Sequence, residues 1–312
     1  MSARVLVVGA KGYVGAAFCR ALLVRGHQVV ALDLGTEPGR LADLADHLEQ
    51  VDGDGSDLQT VLSAIGRRPI DAVYYGPFYR GENGGHSVAR ELDVMAAGAW
   101  RVFDLARAFP LRRVLFPSST AVHGGQRGAT VDEDSPLLPA STYGAVKLLC
   151  ERVAIETNAA IGEPVVTALR LPSVYGPGAS VASRQVNVPA VAAGRGRPAV
   201  LDVRASARVC VAHVDDVAAA LVAAVEAERV PRTVYEIGGP DVTYAEIAAA
   251  VRETVPEAEI RYGARDQAVL PHAVDHRRAA QDLGLRHRPL AEGMRSVVDF
   301  ERARAAARVG AT

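Results

Sequence analysis

Short apolar runs alternate with longer segments of helical periodicity over the first half of the chain. The runs at 4–8 and 27–32 are too short for helices and are typical of strands covered on both faces. The same pattern gives further strands at 51–53, 71–75, 113–116 and 165–171, separated by helices at 16–25, 41–50, 58–66, 87–109 and 143–158. This alternation predicts an α/β fold, a doubly wound parallel sheet with helices on both faces.

The regular pattern weakens after Leu171. A loop rich in glycine and proline leads into a stretch at 179–207 without clear periodicity. Beyond it the pattern predicts strands at 209–214 and 233–237, helices at 215–228 and 243–255, and a charged, mixed tail at 260–308. Thr243 and Glu246 form a Thr-x-x-Glu capping box that sets the start of the last of these helices. We therefore expect a smaller mixed α/β lobe, woven from segments that leave the first lobe and re-enter it.

The composition is that of an ordinary folded protein. The 312 residues are 49% apolar and 23% charged with a net charge of −1, which argues against disorder and against binding of nucleic acid. No run of eighteen apolar residues occurs, so the sequence predicts no membrane-spanning helix. The first strand runs directly into a glycine loop, which is not the layout of a cleaved signal peptide. Cys19, Cys150 and Cys210 lie far apart, which favours buried thiols of a cytoplasmic protein over a disulfide or metal framework.

Gly9, Gly12 and Gly15 stand between the first strand and the first helix, as a dinucleotide site requires. They permit a tight turn, a close approach of the pyrophosphate and close packing of helix on strand. Asp33 ends the next strand, where a carboxylate accepts from the ribose 2′-hydroxyl of NAD and repels the 2′-phosphate of NADP. The predicted organisation is a Rossmann-type NAD-binding domain at 1–171 and 208–239, and a substrate-binding lobe at 172–207 and 240–312.

Tyr143 and Lys147 lie four residues apart on a predicted helix, so both side chains occupy one face. The chain has thirty-three arginines and two lysines, which makes a lysine in this context a candidate for chemistry that needs an ammonium. A nearby ammonium, together with the positive nicotinamide of the oxidised cofactor, favours the phenolate and is expected to lower the phenol pKa. Tyr143 would then exchange a proton with a substrate hydroxyl while hydride moves to or from carbon. The alternative is a half-buried tyrosine beside a surface lysine.

Ser118, Ser119 and Thr120 follow the strand that ends at Phe116. Ligands collect at the carboxyl ends of strands in open α/β sheets, so these hydroxyls are candidates for substrate binding. A serine-rich loop start is the structural alternative.

With these motifs in place, the chain resembles the extended short-chain dehydrogenase/reductases of the NAD-dependent epimerase/dehydratase family. The matching segments are VLVVGAKGYVG, GDGSD at 53–57, LFPSSTAVHG at 115–124, TVDEDSPLLPASTYGAVK at 130–147, LRLPSVYGPG at 169–178, HVDDVA at 213–218 and VYEIGG at 234–239. They occur in the family's order and spread over most of the chain. They are specific for fold and cofactor, and much less so for substrate.

The resemblance implies roles for individual residues. Ser119 is expected to be the catalytic hydroxyl, Tyr143 the acid/base and Lys147 its partner, with Lys147 also reaching the nicotinamide ribose. The implied cofactor-binding residues are Gly9, Gly12, Tyr13, Val14, Gly15, Asp33, Leu34, Asp54, Gly55, Tyr75, Gly76, Pro77, Lys147, Pro172 and Val174. The substrate-binding candidates are Arg80, Ser119, Thr120, Ser173, Asn187, Arg208 and Arg277, with Arg278 as a further arginine for a diphosphate.

Several positions depart from the family pattern. The fourth strand ends Tyr74-Tyr75-Gly76-Pro77 where the family commonly has His-Leu-Ala-Ala, and Met95 and Ser173 stand where asparagines are usual. His123 replaces the tyrosine of the Ser-Ser-x-x-Val-Tyr-Gly motif. We expect His123 to be a hydrogen-bonded structural residue, with an extra acid/base as the alternative.

The residues after Ser119 bear on the reaction. Family members that dehydrate sugars carry Asp-Glu after the catalytic hydroxyl, whereas this chain carries Thr120-Ala121. Dehydration is therefore not expected, and reversible oxidation at one carbon is the reaction that remains open. The sequence therefore predicts an NAD-dependent nucleotide-sugar epimerase acting at C4. The alternatives are an NAD-dependent reductase or dehydrogenase of a ketosugar or other small carbonyl compound, and a cofactor-sensing binding protein. The resemblance also implies a homodimer paired through the helices at 87–109 and 143–158.

Overall fold

The computed structural model describes residues 2–66, 68–79, 87–125, 130–179, 184–266, 271 and 273–309. The strands are β1 (Arg4–Val8), β2 (Gln28–Asp33), β3 (Glu49–Asp52), β4 (Ala72–Tyr75), β5 (Arg113–Ser119), β6 (Thr130–Val131), β7 (Val166–Leu171), β8 (Ser173–Tyr175), β9 (Ala199–Val203), β10 (Arg208–His213), β11 (Val234–Glu236), β12 (Asp241–Thr243), β13 (Ile260–Arg265) and β14 (Ala273–Val274). The α-helices are α1 (Tyr13–Val24), α2 (Leu58–Gly66), α3 (Val88–Glu91), α4 (Gly98–Ala108), α5 (Thr142–Ile161), α6 (Arg184–Gly194), α7 (Val214–Glu226), α8 (Tyr244–Arg252), α9 (Arg277–Leu283) and α10 (Leu290–Val309).

The predicted doubly wound sheet is confirmed. Seven parallel strands run in the order β11-β7-β5-β4-β1-β2-β3. The direction of winding reverses between β1 and β4, which places the topological switch point beside the glycine loop. One apolar cluster lies under α1, α7 and α9, and a second lies under α2, α4 and α5. Both faces of the sheet are therefore covered, which is why β1 and β4 read as apolar runs.

The prediction of a helix at 41–50 is wrong. Two short 3₁₀ turns, Gly39–Leu41 and Ala45–His47, occupy the segment, and β3 begins at Glu49. Leu41, Leu44 and Leu48 mimic a helical period. However, β3 gains backbone hydrogen bonds as the edge strand beside β2, and this pairing overrides the local pattern.

The long helix expected at 87–109 is confirmed and contains a π-helical stretch, Leu92–Ala97, between α3 and α4. Two carbonyl groups in this stretch accept hydrogen bonds from side chains. The Tyr75 hydroxyl donates to Val94 O at 2.6 Å, and the Cys150 thiol donates to Met95 O at 3.4 Å. The wider turn thus ties the helix to β4 and to α5.

The stretch at 179–207 contains more regular structure than the sequence pattern predicts. Helix α6 spans Pro189, and β9 follows it and pairs with β13. Proline and small residues obscured the period, and the partner strand lies about sixty residues later in the chain. A third apolar cluster joins these elements to α8 and α10.

Other local predictions can be checked directly. The Thr243–Glu246 capping box starts α8 as predicted, and the three cysteines are buried free thiols. Ala279, Leu283 and Leu285 pack into the cluster under α1 and α7, beside the large sheet. The division of the chain into an NAD-binding domain and a substrate-binding lobe at the stated boundaries stays a prediction. No helix in the described ranges is both long and apolar enough to cross a lipid bilayer.

Candidate active site

A crevice opens at the carboxyl edge of the large sheet, where β5 and β7 extend about three residues beyond β1, β2 and β4. Val8 of β1 is in register with Leu32 of β2 and Tyr75 of β4. Farther along the edge, Ser119 of β5 is in register with Leu171 of β7. The loops that follow these strands therefore face one another across the switch point.

Three glycines form the floor of this crevice because no side chain fits there. Gly9 has φ of +81°, and a Cβ atom at this residue would lie 3.0 Å from the Gly76 carbonyl carbon. A Cβ atom on Gly15 would lie 2.2 Å from Gly9 O, and one on Gly12 would lie 3.0 Å from the same oxygen. The loop is thus a cradle that a larger residue at any of the three positions would fill.

The start of α1 and the end of β2 supply the polar groups that a dinucleotide needs. The N-cap of α1 is Gly12, which offers no side-chain hydrogen bond, so the first N–H groups of the helix remain for an anion. Asp33 accepts from Lys11 N at 2.7 Å and from Leu34 N at 2.8 Å, which fixes its carboxylate beside the loop. The residues present fit the diphosphate and the adenosine ribose of NAD.

The other expected cofactor residues lie in two groups. Gly55, Gly76 and Pro77 pack around Val8 and the glycine loop, and Pro172 follows the residue that pairs with Ser119. Tyr13, Val14 and Leu34 flank the crevice on α1 and after β2, and Val174 lies buried on β8. In contrast, the carboxylate of Asp54 accepts from Ser56 and Arg90, and the Tyr75 phenol points to Val94. The side chains of Asp54 and Tyr75 are therefore engaged with the protein.

Helix α5 brings the predicted catalytic residues together. Ser141 caps its N-terminus by accepting from Gly144 N at 3.1 Å, so Tyr143 stands in the first turn beside the end of β5. The Ser119 hydroxyl lies close enough to the Tyr143 phenol to lower the pKa of that phenol. The ammonium of Lys147 lies 5.7 Å from the centre of the Tyr143 ring.

Burial sets the electrostatics of this group. The Lys147 ammonium donates to Pro117 O at 2.7 Å and lies 4.4 Å from the centre of the Phe116 ring. Burial lowers the pKa of Lys147 to about 8, although Cys150 and Glu151 act in the opposite direction. The lysine therefore titrates in the range where a catalytic proton is exchanged.

In the protein by itself the pKa of Tyr143 is raised, and the lowering expected from the ammonium together with the oxidised nicotinamide stays a prediction. Desolvation raises the pKa of this phenol, the hydrogen bond from Ser119 opposes the rise, and the carboxylate of Glu91 adds to it. The phenol is accordingly neutral at pH 7. A positive charge in the crevice would favour the ionised phenol, which is the form that accepts a proton.

The substrate-binding candidates are spread out. Ser119 and Thr120 lie at the crevice, where Thr120 Oγ1 is buried and has no hydrogen-bond partner among the described residues. Ser173 is partly exposed on β8. Asn187 accepts from Gly176 N at 3.1 Å, Arg208 pairs with Asp241, Arg277 pairs with Asp275, and Arg278 pairs with Asp134. The structure does not bring these three arginines to the catalytic group, and Arg80 lies outside the described residues.

Two side chains at the crevice were missed by sequence reasoning. Phe78 is 54% exposed, and its ring meets the Tyr143 ring edge-on at 5.7 Å between centroids. Phe78 directly follows Gly76 and Pro77, two expected cofactor residues, and this position in the sequence could have indicated that it lies at the crevice. Arg40 donates to Lys11 O at 3.3 Å and Gly178 O at 3.2 Å across the mouth of the crevice. Its segment carried no motif that would have indicated this.

His123 is the structural residue that the sequence led us to expect. It is fully buried, with Nδ1 3.2 Å from Pro136 O and Nε2 2.6 Å from a Glu236 carboxylate oxygen.

Comparisons with known proteins agree with this geometry. UDP-glucose 4-epimerase of Bacillus subtilis is 28% identical over 55% of this chain and 53% of its own length, so the chain spans about half the length of that relative. A 3-diazoavenalumate denitrifying reductase from a Streptomyces species is 31% identical over 72% of this chain and 73% of its own length. Among solved structures, a GalE-like L-threonine dehydrogenase from Cupriavidus necator superposes with a TM-score of 0.83 at 26% identity, covering 97% of this chain and 99% of that one.

The family comparison is broader than these single relatives. The model of the NAD dependent epimerase/dehydratase family matches residues 5–238, which include the glycine loop, the Ser119 strand and the Tyr143 helix. With its cofactor cradle intact and NAD as its cofactor, the chain belongs to the NAD dependent epimerase/dehydratase family.

Proposed function

We propose that this protein is an NAD-dependent nucleotide-sugar epimerase that inverts C4 through transient oxidation to a keto intermediate. The observation that carries the proposal is the contact of Ser119, Tyr143 and Lys147 at the edge of the glycine-loop crevice. The similarity to the Bacillus subtilis UDP-glucose 4-epimerase supports the same class of substrate.

The chain's own side chains suit this chemistry. When bound, NAD supplies the hydride acceptor and a positive charge. Ser119 would hold the substrate oxygen beside the phenol, and Tyr143 would take the hydroxyl proton and later return it. Lys147, held by Pro117 O, would keep a positive charge below the phenol while it is ionised. The half-buried ring of Tyr143 and the edge of Phe78 would limit access of water to this proton.

The residues after Ser119 separate epimerisation from dehydration. Thr120 and Ala121 cannot act as an acid/base pair, so elimination of water lacks its second proton carrier. Ala121 N also donates to Ser119 Oγ at 3.2 Å, which orients that hydroxyl.

A second candidate function is NAD-dependent reduction or dehydrogenation of a ketosugar or another small carbonyl compound. It is favoured by the similarity to the Streptomyces reductase, which extends over 72% of this chain. The same three catalytic residues would serve it. The difference is that such an enzyme exchanges its cofactor in every turnover.

Incubation with UDP- and dTDP-linked hexoses and uronic acids, without added NAD, tests the proposal. We expect one of these sugars to equilibrate with its C4 epimer, as observed by proton NMR, and no net NADH to accumulate. Steady NADH consumption with a ketone, combined with no epimer from any sugar of the panel, would overturn epimerisation in favour of the reductase.

Tyr143→Phe provides the control for both activities. It removes the phenol oxygen and retains the ring packing against Phe78, so NAD should still bind while turnover falls by about 10²-fold or more. Unchanged turnover in this variant would show that another group carries the proton.

The helices that flank the site also support assembly as a homodimer. Leu92, Trp100, Leu149 and Ile155 are large apolar residues on the α3–α4 segment and on α5, and each is 41% exposed. Pairing of these helices between two copies would cover them. The three free thiols further favour the cytoplasm as the compartment.

A further inference from the structure

The short segment that carries Ser119 is held at both of its ends by buried charges. We call residues 118–123 the Ser119 segment. At its start, the Ser118 hydroxyl donates to Glu151 Oε1 at 2.5 Å. At its end, His123 Nε2 lies 2.6 Å from Glu236 Oε1. The catalytic hydroxyl therefore stands between two anchored residues.

One arginine joins the two anchors. Arg170 of β7 donates to both oxygens of Glu151, from Nε at 2.9 Å and from a terminal nitrogen at 2.8 Å. Its other terminal nitrogen donates to Glu236 Oε1 at 2.9 Å. The Glu151–Arg170–Glu236 bridge thus crosses beneath the Ser119 segment from one end to the other.

The bridge is built where the loss of one member has a large effect. Glu151, Arg170 and Glu236 are at most 2% exposed. A carboxylate or guanidinium at such a site depends on its partners, because water does not replace them. Removal of either carboxylate charge leaves Arg170 half-paired and releases one end of the Ser119 segment.

Glu151 has a second connection to the catalytic group. It follows Tyr143 and Lys147 at four-residue intervals, so the three side chains project from one side of α5. Its carboxylate raises the Lys147 pKa and thereby offsets part of the effect of burial, whereas Glu236, on β11, contacts Arg170 and His123. The two carboxylates are alike in their contact with Arg170 and unlike in their effect on Lys147.

We propose that the Glu151–Arg170–Glu236 bridge is a positioning device that fixes the Ser119 hydroxyl against Tyr143, and that Glu151, one helical turn from Lys147 on α5, also supplies a negative charge beside that ammonium. The proposal rests on the catalytic roles proposed above for these three residues. It assigns no contact with substrate to the bridge. His123, which replaces the tyrosine usual at its position, is part of this device.

Hydrogen exchange tests the positioning without any sugar substrate. Glu151→Gln and Glu236→Gln should each speed amide exchange in peptides covering the Ser119 segment by about tenfold or more. Glu301→Gln is the matched control, because Glu301 is also buried and paired with an arginine, Arg195, but lies between α6 and α10. It should leave exchange in the Ser119 segment unchanged. Equal exchange in all three variants and the wild type would overturn the proposal.

Ser118→Ala is a milder variant in case a glutamine variant does not fold. It removes the hydroxyl that donates to Glu151 and leaves the three charges in place. Exchange at the start of the Ser119 segment should rise while the thermal midpoint changes little. Unchanged exchange in this variant would show that the hydrogen bond from Ser118 to Glu151 does not restrain the Ser119 segment.

The Lys147 titration separates positioning from a merely structural role. With two lysines in the chain, ¹³C-lysine labelling gives two side-chain signals, and Lys11→Arg assigns them. The Lys147 signal should titrate near pH 8 in the wild type, at lower pH in Glu151→Gln, and as in the wild type in Glu236→Gln. The charged or titratable groups facing it are Tyr143, Cys150 and Glu151. Equal shifts in both glutamine variants, or a shift in neither, would overturn the role given to Glu151. Both measurements test the bridge equally well if the protein is a reductase, because neither of them uses a sugar substrate.

Discussion

Replacing Gly15 by alanine should damage the cofactor crevice through a single methyl group. A Cβ atom there would lie 2.2 Å from Gly9 O, and ordinary van der Waals contact begins at 3.4 Å. Helix α1 would therefore have to move away from β1 by about 1.2 Å, the difference of these distances. Overpacking of this kind costs about 1–3 kcal/mol of unfolding free energy, or about 2–6 °C in Tm for a chain of this size.

Two other glycines provide a graded series. A methyl group on Gly12 would lie 3.0 Å from the same Gly9 oxygen, and one on Gly66, at the end of α2, would meet nothing within 4 Å. We expect Gly66→Ala to leave Tm nearly unchanged, Gly12→Ala to lower it, and Gly15→Ala to lower it most. Affinity for NAD should be lost in both loop variants, because the pyrophosphate must approach this backbone.

Thermal unfolding and calorimetric titration with NAD measure the two effects separately. Gly66→Ala controls for the added methyl group, because its backbone conformation suits any residue. A Gly15→Ala protein that melts and binds NAD like the wild type would refute the cradle and the placement of NAD in it.

Three further predictions concern the cofactor, the lysine and the assembly. Asp33→Asn should weaken NAD binding and narrow the preference for NAD over NADP, as calorimetric titration with both cofactors would show; an unchanged preference would contradict the role of its carboxylate. Turnover should decline as pH rises through about 8, since the Lys147 ammonium is present below its pKa and lost above it; a rate that stays level to pH 10 would exclude a need for this charge. Trp100→Glu should convert a dimer to a monomer in light scattering, with Glu226→Gln, at the far end of α7, as a control that leaves the mass unchanged.

Much of the large sheet was predictable because its signals are local. Strands covered on both faces are mostly apolar, and the glycines and aspartates that follow such strands mark where the chain turns. The Tyr143–Lys147 pair was predictable for the same reason, since four-residue spacing on a helix fixes proximity without knowledge of the rest of the fold.

The remaining structure depends on partners that are distant in sequence. β9 becomes a strand by pairing with β13, and the edge strand β3 replaces a helical period by pairing with β2. Residue type alone did not show which arginines have local partners: Arg208 finds Asp241, and Arg277 finds Asp275. The sign of the Tyr143 pKa shift depended on burial, which spacing does not reveal.

The π-helical stretch before α4 determines which way Trp100 faces. In a regular α-helix, eight residues separate Leu92 from Trp100 by a rotation of about 80°. A π turn absorbs one residue without advancing the helix, so the angular offset shrinks to about 20° and both side chains emerge on the same side. Inserting one residue within Leu92–Ala97 would therefore restore an offset of about 80° and rotate one half of this helix against the other. Leu92 and Trp100 would then face different directions while the crevice kept its residues, so an insertion here should alter assembly before it alters catalysis.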